Sequence, residues 1–392
     1  MEKKKIIYLT HWRFPSEKTM TPLIMKTCVG FLGEGYETEL WIPKRHNREW
    51  EGKDPFTTHG IAPRFPLRRI AALDILRYLG GFGFLVLVIS FNITAFFLLL
   101  FGNRRTTYLY AHDVRDVLLP CLLGYPVFVE IHDFYESSMT FINRLVFSRA
   151  SGLIVTNSIK KNYIHEHYGV PEDQMLHQQN AVDYDFFAIA KTREETRREL
   201  SLPEKQKIAL YTGHLFSWKG VDTLARAAHY VGEDIHIYFV GGTPEDRAVL
   251  EELVQKEGLP RITFLPHQSH DRMPLYMRAA DVLVLPNTAR EAASKYETSP
   301  VKLFEYLSSS TPIVASDLPS IRDIVDEQQV MFFEPDTPES LAHAVMAVLS
   351  DTEAARVRSV RGSILAKNSS WEARAAAING LMQRTVGVKK RA

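Results

Sequence analysis

Short apolar runs rich in β-branched and aromatic residues recur along the chain, each followed by a stretch of helical length. The first half carries "KKIIYLTHW", "YETELWIP", "TTYLYAHD", "PVFVEIHD" and "GLIVTNS"; the second carries "KIALYTGHL", "IHIYFVGG", "RITFLPH", "DVLVLPN", "PIVASD" and "VMFFEP". Runs of this composition and length predict strands. Their alternation with helical stretches predicts βαβ units, hence parallel sheets covered on both faces. Eleven such strands exceed what one compact sheet usually holds, so the pattern predicts an α/β protein of two doubly wound, Rossmann-like domains. The polar stretch "NAVDYDFFAIAKTREETRRELSLPEKQK" separates the two series and ends in a Leu-Pro break, which places the boundary near residue 185. The domains then cover 1–185 and 186–369.

One stretch breaks the rhythm. "GFGFLVLVISFNITAFFLLLF", residues 81–101, carries no charge and is roughly the 20-residue length of a membrane span. Ser90, Asn92 and Thr94 interrupt its middle, and a crossing there would split an α/β domain. A span, a buried helix and a helix lying in a membrane interface all remain open. Just ahead, "RFPLRRIAALDILRYL" has the pattern of a basic amphipathic helix, which fits a membrane surface or a solvated face over a core stripe.

Composition narrows the field. The 392 residues are 45% apolar and 24% charged with a formal net charge of +1, an ordinary globular balance with nothing that calls for nucleic acid. The two cysteines, Cys28 and Cys121, have no paired or metal-ligand spacing, which suits the reducing cytosol. The start "MEKKKIIYLTHW" reads as a first strand rather than a signal peptide.

Candidate chemistry sits where strands end. In "SKYETSPVKLFEYLSSSTPIVAS" Ser299 suits a helix N-cap and Pro300 the first helical position, with Glu297 in the loop ahead and Glu305 within the helix. That helix would start at the carboxyl end of a parallel strand, where open α/β sheets bind ligands, and the amides of Val301 and Lys302 would favour a phosphate. The two carboxylates would then face hydroxyls, as on a ribose or sugar ring; spacing alone favours a solvated pair, and placement at the switch region brings the two readings level. In "YTGHLFSWKGVDTLARAA" a strand ends in Thr212-Gly213 and a loop carries Lys219-Gly220, a lysine placed to balance a diphosphate or simply to sit in a turn. Gly241-Gly242 is a weaker phosphate-loop signal. "PVFVEIHD" ends in His132, which could position or protonate a substrate or be structural, and His112 in "LYAHDVRD" competes with it.

Taken together and in this order, "SEKTMTPLIMKTCVGFLGEGYETELWIP", "VEIHD", "TGHLFSWKG", "FVGGTPED", "MRAADVLVLPN", "ETSPVKLFEYLSSSTPIVAS" and "SSWEARA" resemble the retaining glycosyltransferases of family 4 over almost the whole chain. The resemblance implies the GT-B fold, two Rossmann-like domains facing a cleft, with the helix of 370–392 returning to complete the first domain. It implies that Glu305 binds the ribose of a nucleoside-diphosphate sugar (UDP- or GDP-linked) and that Glu297 binds the donor sugar. The amides of Val301 and Lys302, with Gly213, His214, Gly241 and Gly242 nearby, would hold the donor, and Lys219 would neutralise the departing diphosphate without a metal or other cofactor. His132 would serve the acceptor side, where Ser16, Lys18 and Thr19 are further candidates. Three departures stand out. His214 occupies a usual arginine position, Thr298-Ser299-Pro300 replaces a common Gly-Phe-Gly, and "RFPSEKTMTP" lacks the usual two glycines. The expectation is a retaining, metal-independent hexosyltransferase, cytoplasmic and peripheral to the membrane, acting on a carbohydrate or lipid-linked acceptor in polysaccharide or glycolipid synthesis. A nucleotide-sugar epimerase of the same fold and a non-catalytic sugar-nucleotide binder are the alternatives.

Overall fold

Thirteen strands form among the described residues, and every strand pairing is parallel. The structure is a computed structural model and describes residues 3–16, 20–45, 50, 52–132 and 140–389. It divides into two units, Met1–Gln178 with Trp371–Ala392, and Gln179–Ser370.

Unit 1 contains β1 (Lys5–Leu9), β2 (Glu37–Pro43), β3 (Leu67–Ile70), β4 (Thr107–Ala111), β5 (Val127–Ile131), β6 (Gly152–Val155) and β7 (Met175–His177). Their spatial order is β3-β2-β1-β4-β5-β6-β7, so the winding reverses between β1 and β4. β4, β5 and β6 are buried at every position, as strands covered on both faces must be. The C-terminal helix Trp371–Lys389 covers one face, where Ile378, Leu381 and Met382 join Ile6, Tyr8, Tyr108, Tyr110 and Phe128 in one apolar cluster.

Two sequence expectations are corrected here. "RFPLRRIAALDILRYL" is not one helix: Leu67–Ile70 is the edge strand β3, paired to β2 with Leu40 opposite Leu67 and Pro43 opposite Ile70, and only the last four residues are helical. Backbone pairing to a sheet edge outweighs the amphipathic pattern, and Arg68 and Arg69 stay exposed there. β7 also escaped the sequence reading, because three residues, "MLH", are too few to show a period.

The apolar run forms part of one helix, Leu76–Leu99, kinked where Gly80 adopts φ +50°. It is long and apolar enough to cross a membrane by length and composition. One face, with Leu87, Val88, Phe91, Ala95 and Leu99, is buried in unit 1. Asn92 fixes that face: its Nδ2 donates to the Arg115 carbonyl at 2.7 Å and its Oδ1 accepts from the Leu119 amide at 3.1 Å. The other face exposes Tyr78, Phe82, Leu85, Ile89, Ile93 and Phe97.

Unit 2 contains β8 (Lys207–Thr212), β9 (Ile235–Val240), β10 (Ile262–Leu265), β11 (Val282–Leu285), β12 (Ile313–Ser316) and β13 (Met331–Phe333), in the order β10-β9-β8-β11-β12-β13. Its reversal lies between β8 and β11. In both units the carboxyl ends of the strands flanking the reversal are where an open α/β sheet leaves a crevice for ligands.

Candidate active site

In unit 2 the loops leaving β8 and β11 meet at the switch point. Gly220, in the left-handed region at φ +68°, packs so closely that a Cβ there would overlap the Pro286 carbonyl oxygen at the end of β11. This contact fixes the turn Ser217–Lys219, which presents Lys219. The Lys219 ammonium lies 3.6 Å from the centroid of the Trp218 ring. Burial, with the nearby Lys302 ammonium, lowers its pKa to about 7. β9 ends in Gly241 and Gly242, at φ +115° and +76°. Thr243 then caps the helix Pro244–Glu257 in a reciprocal box with Asp246.

The helix Val301–Ser308 begins one residue later than the sequence suggests. Pro300, with ψ 112°, is the N-cap and Val301 the first helical residue. Ser299 does not cap it, because its oxygens face Asn180: the Asn180 Nδ2 donates to the Ser299 carbonyl at 2.6 Å. The amides of Val301 and Lys302 donate to no backbone carbonyl among the described residues, so they remain a ready-made anion site. Glu297 is not in a plain loop. It closes a π-helical turn, Ala293–Glu297, held by the Thr298 amide to the Ala293 carbonyl and by Ser320 Oγ to the Ser294 carbonyl. Its side chain is buried, whereas that of Glu305 is half-buried and its carboxylate accepts no hydrogen bond among the described residues.

The Lys302 side chain was not anticipated beyond its amide. It turns back to the end of β8, with Nζ 3.4 Å from Thr212 Oγ1. Tyr306 completes this junction by accepting from the Thr212 amide at 2.9 Å. His214 points outward: it is exposed, stacks on Phe216 at 4.9 Å and lies 3.9 Å from Asp246. Unit 2 thus gathers Gly213, Lys219, Lys302, Glu305 and the amides of the Val301–Ser308 helix, with His214 turned away from them.

Unit 1 carries a histidine just beyond each of three adjacent strands: His11 after β1, His112 after β4 and His132 after β5. His132 Nε2 lies 2.6 Å from Glu130 Oε1. Glu130 is fully buried and also accepts from Tyr110 Oη at 2.6 Å and from the Arg374 guanidinium of the C-terminal helix. Burial alone would raise its pKa, but Arg374 and then His132 offset this and hold the carboxyl well below the usual range. His132 is further fixed through its carbonyl, which accepts from the buried Lys160 ammonium. His112 is buried, its ring 6.2 Å from that of His132, and neither of its nitrogens has a partner among the described residues. Burial, then the neighbouring His132, lowers its pKa to about 3, so it stays neutral. The sequence reading missed Glu130 and Arg374. The signal was present in "VFVEI", where a single charge interrupts a strand otherwise made to be buried. Ser16 is buried with Oγ 2.8 Å from Thr21 Oγ1, while Lys18 and Thr19 lie outside the described residues.

Residues 192–363 match the family described as glycosyl transferases group 1. The matched stretch lies within unit 2. Among curated relatives, the chain is 28% identical over 205 residues to an uncharacterized glycosyltransferase of Methanocaldococcus jannaschii, spanning 51% of this chain and 50% of that protein. It is 26% identical over 249 residues to a D-inositol 3-phosphate glycosyltransferase of Corynebacterium glutamicum, spanning 59% and 57%. The matches therefore span little more than half the length of these relatives. Among solved structures, the chain is similar to HepE of Anabaena in complex with UDP at TM-score 0.74 and 16% identity, covering 97% of this chain and 100% of that one. A sucrose-phosphate synthase from Thermosynechococcus elongatus gives TM-score 0.77 at 19% identity, covering 98% and 100%. These likenesses show the fold, which is GT-B with two Rossmann-like units.

Proposed function

We propose that the protein is a retaining glycosyltransferase that moves a hexose from a nucleoside-diphosphate donor to a carbohydrate or lipid-linked acceptor, with no metal. The observation that carries this reading is the convergence of two lysine ammonium groups and a free helix N-terminus on the switch point of unit 2. Fixed positive charge there would stabilise the diphosphate as it departs, the role a metal plays elsewhere. Glu305, with no hydrogen bond of its own among the described residues, is free to accept from ribose hydroxyls, and Glu297 would face the donor sugar. HepE of Anabaena has been solved with UDP and with UDP-glucose, which supports a uridine donor over a guanosine one.

His132, held by Glu130, would serve the acceptor side. The acceptor pathway is read as membrane-associated, and the exposed apolar face of the Leu76–Leu99 helix supports attachment to an anionic membrane surface, with Arg77, Arg104 and Arg105 exposed beside its ends.

The test is donor consumption with and without acceptor extract, in the presence of a chelator. A transferase releases nucleoside diphosphate only with acceptor and at an unchanged rate in chelator. An epimerase yields a new nucleotide sugar without acceptor, and a binder consumes nothing. The anomeric configuration of the product, read by proton NMR coupling, tests retention.

A further inference from the structure

The ammonium of Lys302 occupies a position the proposed donor chemistry can use and nothing else in unit 2 requires. Lys302 is the second residue of the Val301–Ser308 helix, and its side chain runs against the direction of the chain to reach the last residues of β8. A Cβ built on Gly213 would come within 2.5 Å of Nζ. Gly213 has φ +114°, a conformation few side chains tolerate, so the same glycine permits the turn and leaves room for the cation.

The ammonium has no ion pair among the described residues. Its polar contact is Thr212 Oγ1, and the rings of Tyr211 and Tyr306 lie 5.8 and 6.0 Å away. Glu305, three positions along the helix, attracts it through space without a hydrogen bond. Lys219 is a second ammonium without an ion pair among the described residues, close enough for the two to repel. Two like charges drawn out of water, with no ion pair between them and the one nearby carboxylate, destabilise a fold unless a ligand supplies the anion. Position 214 does not share this task, because His214 is exposed and turned toward Phe216 and Asp246.

We propose that the Lys302 ammonium is the second cation of the diphosphate site, supplying from the helix the charge that position 214 lacks. This rests on the reading of unit 2 as a nucleoside-diphosphate-sugar site. In the transfer step the bond between the sugar's anomeric carbon and the distal phosphate oxygen breaks, and its electron pair stays on that oxygen. The acceptor hydroxyl oxygen bonds to the anomeric carbon, and its proton passes to the departing phosphate. Lys302 and Lys219 would divide the charge that gathers on the diphosphate, from the helix side and the loop side. Burial, opposed only by Glu305, lowers the Lys302 pKa in the free protein, and a bound diphosphate would restore it.

The experiment titrates UDP, GDP and the matching monophosphates into wild type, Lys302→Met and Lys302→Arg, with the melting temperature of each free protein measured alongside. Methionine keeps the stem and removes the charge. Lys302→Met should lose about 10- to 100-fold in diphosphate affinity and much less in monophosphate affinity, and about 100-fold or more in turnover. Lys302→Arg should retain most of both. Free Lys302→Met should melt no lower than wild type, because the lost charge made no ion pair and only one long contact among the described residues, to Thr212 Oγ1. A Lys302→Met protein that binds diphosphate as wild type does overturns the inference alone. So does one that melts lower and loses monophosphate and diphosphate equally, since Lys302 would then be structural. A wild type that binds neither diphosphate overturns the donor reading, and the inference with it.

Discussion

At the scale of single residues, the proposed chemistry depends on which groups carry charge at working pH. Lys219 is poised to lose its proton near neutrality, its pKa lowered to about 7 by burial and by Lys302. The charged form is the one that can hold a diphosphate, so binding should take up a proton once the free lysine begins to deprotonate. Nucleoside diphosphate affinity should therefore fall as pH rises through about 7, by up to one log unit per pH unit. Calorimetry in buffers of different ionisation enthalpy should show proton uptake above that pH and little below it. Lys219→Arg, charged throughout, should flatten the profile. Lys219→Ala should lower turnover by about 100-fold or more while weakening binding less, because charge on the leaving group peaks in the transition state. An affinity flat from pH 6 to pH 9 in wild type would remove Lys219 from the site.

At the scale of elements, the strand series was legible because β-branched, buried runs are distinctive, and the two strands that escaped are short or charged: "MLH" and "LRRI". The helix carrying Glu305 was legible from its proline, to within one residue at its start. The route of the Lys302 side chain was not, because spacing fixes which face a residue leaves from but not where a long flexible stem ends. Nor could composition decide the fate of residues 81–101. The helix Leu76–Leu99 is half buried and half exposed, and only tertiary packing reveals which half is which. Its exposed residues, from Tyr78 through Phe82, Leu85, Ile89 and Ile93 to Phe97, follow a three-to-four spacing that makes one continuous apolar stripe. A stripe of this kind beside exposed arginines should bind anionic vesicles in flotation at low salt. High salt should weaken the attachment by screening the basic residues, each of which contributes about 1 kcal/mol. Phe82→Ser with Phe97→Ser should abolish flotation without unfolding the protein, since neither ring is buried. Protein that stays in the soluble fraction at low salt would contradict the attachment.

At the scale of the whole molecule, the chain leaves unit 1 after Gln178, builds unit 2 and returns at Trp371. The returning helix completes the core of unit 1 and delivers Arg374 to Glu130, so residues 244 positions apart share one buried ion pair. Breaking such a pair strands a charge in the interior and costs about 3–5 kcal/mol, whereas replacing both partners by apolar groups is often close to neutral. Arg374→Met should therefore destabilise unit 1 by about that amount, and Arg374→Met combined with Glu130→Leu should recover most of it. Four of the five tryptophans, Trp12, Trp41, Trp50 and Trp371, lie in unit 1, so fluorescence-detected urea unfolding reports chiefly on this unit. Stability and function should then separate. Glu130 also holds His132 Nε2, and the apolar double variant leaves that imidazole without its partner. The double variant should be folded and should bind nucleoside diphosphate as wild type does, because unit 2 is untouched. Its transfer rate should nonetheless fall, because His132 loses the partner that fixes its orientation on the acceptor side. Full transfer in the stable double variant would leave the ion pair a structural feature alone and would move the acceptor-side histidine to His112, which makes no bond to Glu130.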